Sequence, residues 1–316
     1  MPVVDVEDLV IRYGDVVAVD RLSFEIRAGE VYGLLGHNGA GKSSTIETLE
    51  GHRSASSGRV AVLGHDPAAA GRALRDEIGI VLQSSGIEPQ LSVREAITLY
   101  GSVYRRRRSS DELLGLVGLE DKADSRIGTL SGGQRRRVDL ALGIVGYPDL
   151  LFLDEPTTGF DPAARRESWT LIENLCAEGT TVLLTTHYLD EAEHLADRVG
   201  VLRSGRLVAE GTPTELIANA GSTTITFTLP ADGPGPTADG LSTTGPVAGA
   251  AGPVIHYALA TAHPTQDLHR LTTWAVDAGV DLDGLRVTQP TLEDVFLDLD
   301  RAAPTTGVGE AERSEA

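Results

Sequence analysis

Short, nearly all-apolar runs recur along the first two thirds of this chain, separated by stretches with helical spacing. Val31-Tyr32-Gly33-Leu34-Leu35, Leu150-Leu151-Phe152-Leu153-Asp154 and Thr181-Val182-Leu183-Leu184-Thr185 show no in-and-out alternation. Runs of that kind suit central parallel strands covered on both faces. Residues 4–11 and 22–26 read as early antiparallel strands, and 59–63 and 78–82 as two more. Residues 198–202 and 207–209 flank Ser204-Gly205 and read as a hairpin. A helix is predicted over 42–49. Ser92-Val93-Arg94-Glu95 is a capping box opening a helix towards Tyr104. A second box, Ser131 with Gln134, opens a helix carrying Val138, Ala141, Leu142 and Val145 on one face. Trp169 and Trp274 fall on helical patterns and read as core or docking residues. Strands alternating with helices over residues 1–213 predict an α/β domain.

The pattern changes after Thr212-Pro213. Strands are predicted at 223–229, 254–259 and 285–287, with helices at 266–278 and 292–299. Thr291 caps the last helix, whose Leu292, Val295, Phe296 and Leu299 form an apolar stripe. The Gly/Pro/Ala/Thr-rich stretch 230–253 reads as a loop. Residues 214–301 therefore form a small α+β domain. The tail 302–316 lacks apolar periodicity and is expected to be disordered.

Composition narrows the function classes. The 316 residues can bury a sizeable core, but aromatics make up only 4%, so aliphatic side chains must fill it. A net charge of −19 argues against a nucleic-acid partner. Any site for an anionic nucleotide must then be locally positive. The one basic block, Arg105 to Arg108, reads as a solvated helix end; the sharper alternative is contact with acidic lipid headgroups or a partner's loop. His194 reads as an exposed helix residue. Cys176 is the only cysteine, so no intramolecular disulfide can form, and it reads as a small apolar helix residue. The acidic N-terminus reads as the start of a strand rather than as a signal peptide, and no apolar run approaches a membrane span. If the protein works at a membrane, a partner is expected to supply the spanning helices.

Chemistry enters with Gly36-His37-Asn38-Gly39-Ala40-Gly41-Lys42-Ser43, which fits the phosphate-binding loop G-x-x-x-x-G-K-[ST] between a strand and a helix. Glycines let backbone N–H groups turn onto phosphate oxygens, and the helix N-terminus adds favourable dipole potential. Lys42 would reach the β- and γ-phosphates and the Ser43 hydroxyl would ligate Mg²⁺. Asp154, at a strand end, would hold the same ion, and Glu155 would polarise the water attacking the γ-phosphate. Alone, Asp154-Glu155 could equally be a strand ending in a polar turn. Leu130-Ser131-Gly132-Gly133-Gln134 alone is a glycine-bearing helix cap.

Taken together, these runs resemble the nucleotide-binding domain of an ATP-binding cassette (ABC) transporter. Residues 36–43 resemble its Walker A motif, 150–155 its Walker B motif and 130–134 its signature motif. Gln83 resembles the Q-loop glutamine, Gly159-Phe160-Asp161 the D-loop and His187 the switch histidine. The resemblance implies a P-loop NTPase cassette of α/β class: a RecA-like core, an antiparallel β subdomain and a helical subdomain, followed by the small C-terminal α+β domain. It implies ATP and Mg²⁺ as cofactors and a head-to-tail homodimer enclosing two ATPs. Ser131, Gly132, Gly133, Gln134 and Asp161 would face ATP held by the second copy. Tyr13 would stack on adenine with Val19 beside the base, and Gly36, His37, Asn38, Gly39, Ala40, Gly41, Lys42, Ser43 and Ser44 would hold the phosphates. Ser43, Gln83 and Asp154 would bind the metal, and Glu155, His187 and Gln83 would act in catalysis. His37 replaces a more usual proline, Phe160 a leucine and Ser44 a threonine; none of these removes a catalytic group. The ending Gln289-Pro290-Thr291-Leu292-Glu293-Asp294-Val295-Phe296 resembles that of ATPase subunits of ABC-2-type exporters, including the daunorubicin-resistance type. That implies an ABC-2-type membrane permease as partner and a peripheral place on the cytoplasmic face of the cell membrane. The competing readings are a soluble ABC ATPase acting on DNA or ribosomes, an importer subunit, or a non-hydrolysing regulatory subunit.

Overall fold

The fold is a computed structural model that describes residues 2–81, 86–219, 222–236, 241–249 and 252–301. The chain divides into two compact units, residues 1–213 and 214–316. In the first, β1 (Val4–Tyr13), β2 (Val16–Ile26), β3 (Val31–Leu35), α1 (Lys42–Leu49) and β4 (Ser57–Val62) come first. The short helices α2 (Pro67–Ala70) and α3 (Arg72–Arg75), β5 (Ile78–Val81), α4 (Val93–Gly101), α5 (Ser110–Leu116) and α6 (Gly132–Gly143) follow. The unit ends with β6 (Leu150–Asp154), α7 (Pro162–Ala177), β7 (Thr181–Thr185), α8 (Leu189–Leu195), β8 (Arg198–Arg203) and β9 (Arg206–Gly211).

The main sheet runs β5-β6-β7-β3-β8-β9, and only β9 is antiparallel to its neighbour. β3 and β7 are buried along their whole length, as strands covered on both faces must be. Because β6, β7 and β3 are adjacent and parallel, the loops after Leu35, Asp154 and Thr185 all leave the same edge of the sheet. That edge is where open α/β sheets place ligands. β2, β1 and β4 make a separate antiparallel sheet. It shares one core with the main sheet and α1, in which Phe24 stacks on Tyr32 at 5.3 Å. After α9 (Pro213–Asn219), the second unit contains β10 (Thr223–Pro230), β11 (Leu241–Thr243), β12 (Val247–Gly249), β13 (Gly252–Thr261), α10 (Pro264–Ala278), β14 (Asp283–Thr288) and α11 (Leu292–Arg301). Its antiparallel sheet runs β11-β13-β10-β14, with β12 also on β13. Ile225, Phe227, Leu229, Tyr257, Leu259 and Leu271 form its core, with Trp274 packed against it.

Four expectations need correction. The stretch 230–253 is not all loop: β11 and β12 lie inside it and pair with β13, and each is too short to show against a Gly/Pro-rich background. The helix opened by Ser92 stops at Gly101, where a Cβ would come within 2.9 Å of Val145, and Tyr104 instead packs flat over Gly146. α6 ends at Gly143, before Val145, and its buried face carries Arg136 and Asp139 as well as Val138 and Ala141. The arginine block is not a helix end, since residues 105–108 connect α4 to α5. Arg105, Arg106 and Arg107 are exposed, whereas Arg108 is buried against Glu112 (2.7 Å), Glu178 (3.0 Å) and the Tyr147 ring. His194 is half exposed but stacks on Trp169 at 4.5 Å. Gln83 and the tail 302–316 lie outside the described residues.

Candidate nucleotide-binding site

The phosphate loop is built by close approach. A Cβ on Gly36 would sit 2.4 Å from the Leu202 carbonyl oxygen, and one on Gly41 would sit 2.7 Å from that of Ala18. Gly41 also has φ of 107°, a conformation that side chains rarely adopt, and it directly precedes α1. Gly39 has φ of 80° with open space where a Cβ would be, so its backbone faces the cavity bare. The Lys42 ammonium folds over this loop and donates to the carbonyls of Gly36 (2.5 Å) and His37 (3.2 Å). Burial lowers the Lys42 pKa, and the carboxylates of Glu155 and Asp154 act against that fall.

Across the cavity, Asp154 ends β6 in register with Thr185 of β7, whose hydroxyl donates to Asp154 Oδ1 at 2.5 Å. Glu155 follows with φ of 48°, and its N–H is held by the Thr185 carbonyl at 2.9 Å. Its Oε1 lies 3.2 Å from Nδ1 of His187, in the loop after β7. Residues 37–39 and 41–44 of the loop, together with Asp154, Glu155 and His187, line one cavity of about 720 Å³. Gly36 and Ala40 are not among the lining residues, and Ala40 is buried. Tyr13 stands 44% exposed, its hydroxyl 2.9 Å from Ser44 Oγ and its ring covered by the Arg53 guanidinium at 4.4 Å. Val19 is not among the residues that line the cavity. Val19 is fully buried under Gly41, and Ala18 takes the lining position.

Ser131, Gly132, Gly133, Gln134 and Asp161 do not line this cavity. Ser131 caps α6: its Oγ accepts from the Gln134 N–H at 3.2 Å, and Gln134 Oε1 accepts from the Ser131 N–H at 3.0 Å. Ser131 and Gly132 are exposed, while Gly133 and Gln134 are half-buried. Asp161 caps α7 by accepting the N–H groups of Ala163 and Ala164 at 2.9 and 3.0 Å, which holds its carboxyl below the usual range. Sequence reasoning missed Ala18, Thr185 and Arg136. Thr185 shows only as the polar end of an apolar run, and Arg136 is indistinguishable from its neighbours in Arg135-Arg136-Arg137.

The cavity suits a nucleoside triphosphate: a bare-backbone loop at a helix N-terminus, one ammonium, and acids opposite. Among the described residues, no group of three or more His, Cys, Asp or Glu could hold a metal ion alone. One hydroxyl (Ser43) and one carboxylate (Asp154) are what Mg²⁺ uses when phosphate and water supply its other ligands.

Comparison with known proteins agrees with this geometry. Residues 19–158 match the family model described as "ABC transporter", and residues 223–291 match the C-terminal domain of ABC transporter domain-containing protein-like. The daunorubicin resistance ATP-binding protein DrrA3 of Streptomyces coeruleorubidus is 38% identical over 91% of this chain and 92% of its own length. The Nod factor export ATP-binding protein I of Burkholderia lata is 42% identical over 69% of this chain and 74% of its own. Among solved structures, cbiO1 from Clostridium perfringens, part of the ABC transporter complex cbiONQ, superposes with a TM-score of 0.63. It is 32% identical and covers 69% of this chain and 91% of that one.

Proposed function

This chain belongs to the ABC transporter family as an ATP-binding, ATP-hydrolysing subunit, and we propose that it drives export through a separate ABC-2-type permease. Subunits of this family form dimers and work with membrane subunits. Export is named for one of the relatives above, the Nod factor protein, and daunorubicin resistance, an effect that export of the drug would give, for the other. Among the described residues no helix is long and apolar enough to cross a membrane. In this reading a separate permease carries the transported molecule, and this subunit works on its cytoplasmic face.

In the proposed cycle, Lys42 leaves the carbonyls of Gly36 and His37 for the β- and γ-phosphates, and the loop amides take the remaining oxygens. Ser43 and Asp154 would hold Mg²⁺, which would supply charge neutralisation on the phosphates. Glu155 accepts a hydrogen bond from the attacking water and orients it. His187 bonds Glu155 through Nδ1, which leaves Nε2 for the γ-phosphate. Ser131, the amides of Gly132 and Gly133, Gln134 and Asp161 stand clear of the chain's own cavity, as groups serving a second copy's ATP should.

The observation that carries this reading is the Glu155–His187 pair, 3.2 Å apart in the same cavity as Lys42. Glu155→Gln keeps the shape but weakens the acceptor. Calorimetric ATP affinity is expected to stay within about twofold while turnover falls at least a hundredfold, the upper range for a general base. Wild-type turnover in that variant would remove Glu155 from its role.

A further inference from the structure

A buried guanidinium lies under the backbone that carries Glu155. Arg136 sits two residues beyond Gln134 on α6 and is only 6% exposed. Its Nε donates to the Pro156 carbonyl at 3.0 Å, and its Nη2 donates to the carbonyls of Asp154 (2.6 Å) and Glu155 (2.9 Å). Three successive carbonyls thus converge on one cation. Withdrawing that cation from water is costly, and burial lowers its pKa. The carboxylates of Asp139, Asp154, Glu155 and Glu191 surround it and offset part of the cost.

The same loop is held from its other side. Glu191 of α8 is fully buried and accepts hydrogen bonds from Thr157 Oγ1 (2.8 Å) and Trp169 Nε1 (3.1 Å). Between these two anchors, Glu155 keeps its φ of 48°. A left-handed conformation is strained for a non-glycine residue and persists only where its surroundings over-determine it. The bonds from Arg136 provide that over-determination at the residue in question and at both of its neighbours.

We propose that Arg136 is a positioning residue for hydrolysis: its guanidinium fixes the backbone of residues 154–156 so that the Glu155 carboxylate meets the attacking water. The inference rests on Glu155 being the water activator. It adds a direct link along α6, because the helix that begins at the Ser131 cap also holds the catalytic loop. The bonds that Arg136 donates to residues 154–156 run to the hydrolytic side of the cavity, so its loss is expected to affect turnover more than ATP binding.

The test uses the full chain as Arg136→Lys, Arg136→Gln and Glu155→Gln, with kcat from steady-state hydrolysis and Kd for ATP from calorimetry. Arg136→Gln is expected to lower kcat at least tenfold, with Kd within about twofold of wild type. Arg136→Lys, which keeps the charge but not the fork, is expected to recover part of the loss. Wild-type kcat in Arg136→Gln, or equal losses in kcat and affinity without rescue by Lys, would overturn the proposal. If Arg136→Gln does not fold, Arg136→Lys decides: reduced kcat with unchanged Kd supports the role, and unchanged kcat refutes it. An active Glu155→Gln would defeat the reading of Glu155. An inactive Glu155→Gln beside fully active Arg136 variants would defeat the Arg136 proposal alone.

Discussion

At the residue scale, charge placement governs the site. Lys42, Asp154 and Glu155 share one cavity in a protein of net charge −19, so local positive potential comes from one ammonium and a helix N-terminus. Glu50, just past α1, is a second consequence of that crowding. It is 6% exposed, and burial, with Asp154 and Glu47 nearby, pushes its pKa up to about 7. His52, at 3.2 Å, is its polar neighbour. The folded nucleotide-free chain therefore keeps a proton that the unfolded chain has already lost. Unfolding releases that proton, so stability falls as pH rises from the ordinary carboxylate range to about 7. Glu50→Gln is expected to raise the melting temperature relative to wild type more at about pH 8 than at about pH 5, by the equivalent of about 1 kcal/mol or more. An equal effect at both pH values would mean that Glu50 is ionised throughout. Lys42, Asp154, Glu155 and His187 were legible because each stands at a fixed offset from a strand end. Val19 was not: whether it or Ala18 faces the cavity depends on strand twist and on the approach of Gly41, which local spacing does not encode.

At the element scale, the apolar runs were the dependable signal. β3, β6 and β7 were readable because strands buried on both faces cannot alternate. Their shared edge follows from parallel pairing. Helix ends were harder to read, because α4 and α6 stop where tertiary contacts at Gly101 and Gly143 stop them. β11 and β12 exist only because β13 offers an edge to pair with. The phosphate loop depends on its glycines as much as on its charge. Gly41→Ala would place a methyl 2.7 Å from the Ala18 carbonyl at a φ of 107°. A loss of about 1–3 kcal/mol is expected, seen as a drop of roughly 2–10 °C in melting temperature, together with weaker ATP binding. An unchanged melting temperature would show that the loop relaxes freely.

At the scale of the whole molecule, residues 1–213 hold one core and the entire cavity, while the second unit has a core of its own. A chain ending at residue 213 is expected to melt cooperatively and to bind ATP within about twofold of the full chain, since no lining residue is lost. A tenfold weaker affinity would assign the second unit a share in the nucleotide site. The signature cap raises the larger question. Ser131 lies outside the chain's own cavity, yet it crowns the helix that reaches Glu155 through Arg136. A second copy of the chain is then needed to complete each site. The most direct measurement is the solution mass of Glu155→Gln by light scattering, with ATP and with ADP. Twice the 33.3 kDa of one chain is expected with ATP, one chain's mass with ADP, and loss of the ATP-dependent species when Ser131→Arg is added. A single-chain mass with ATP bound would contradict the need for a second copy.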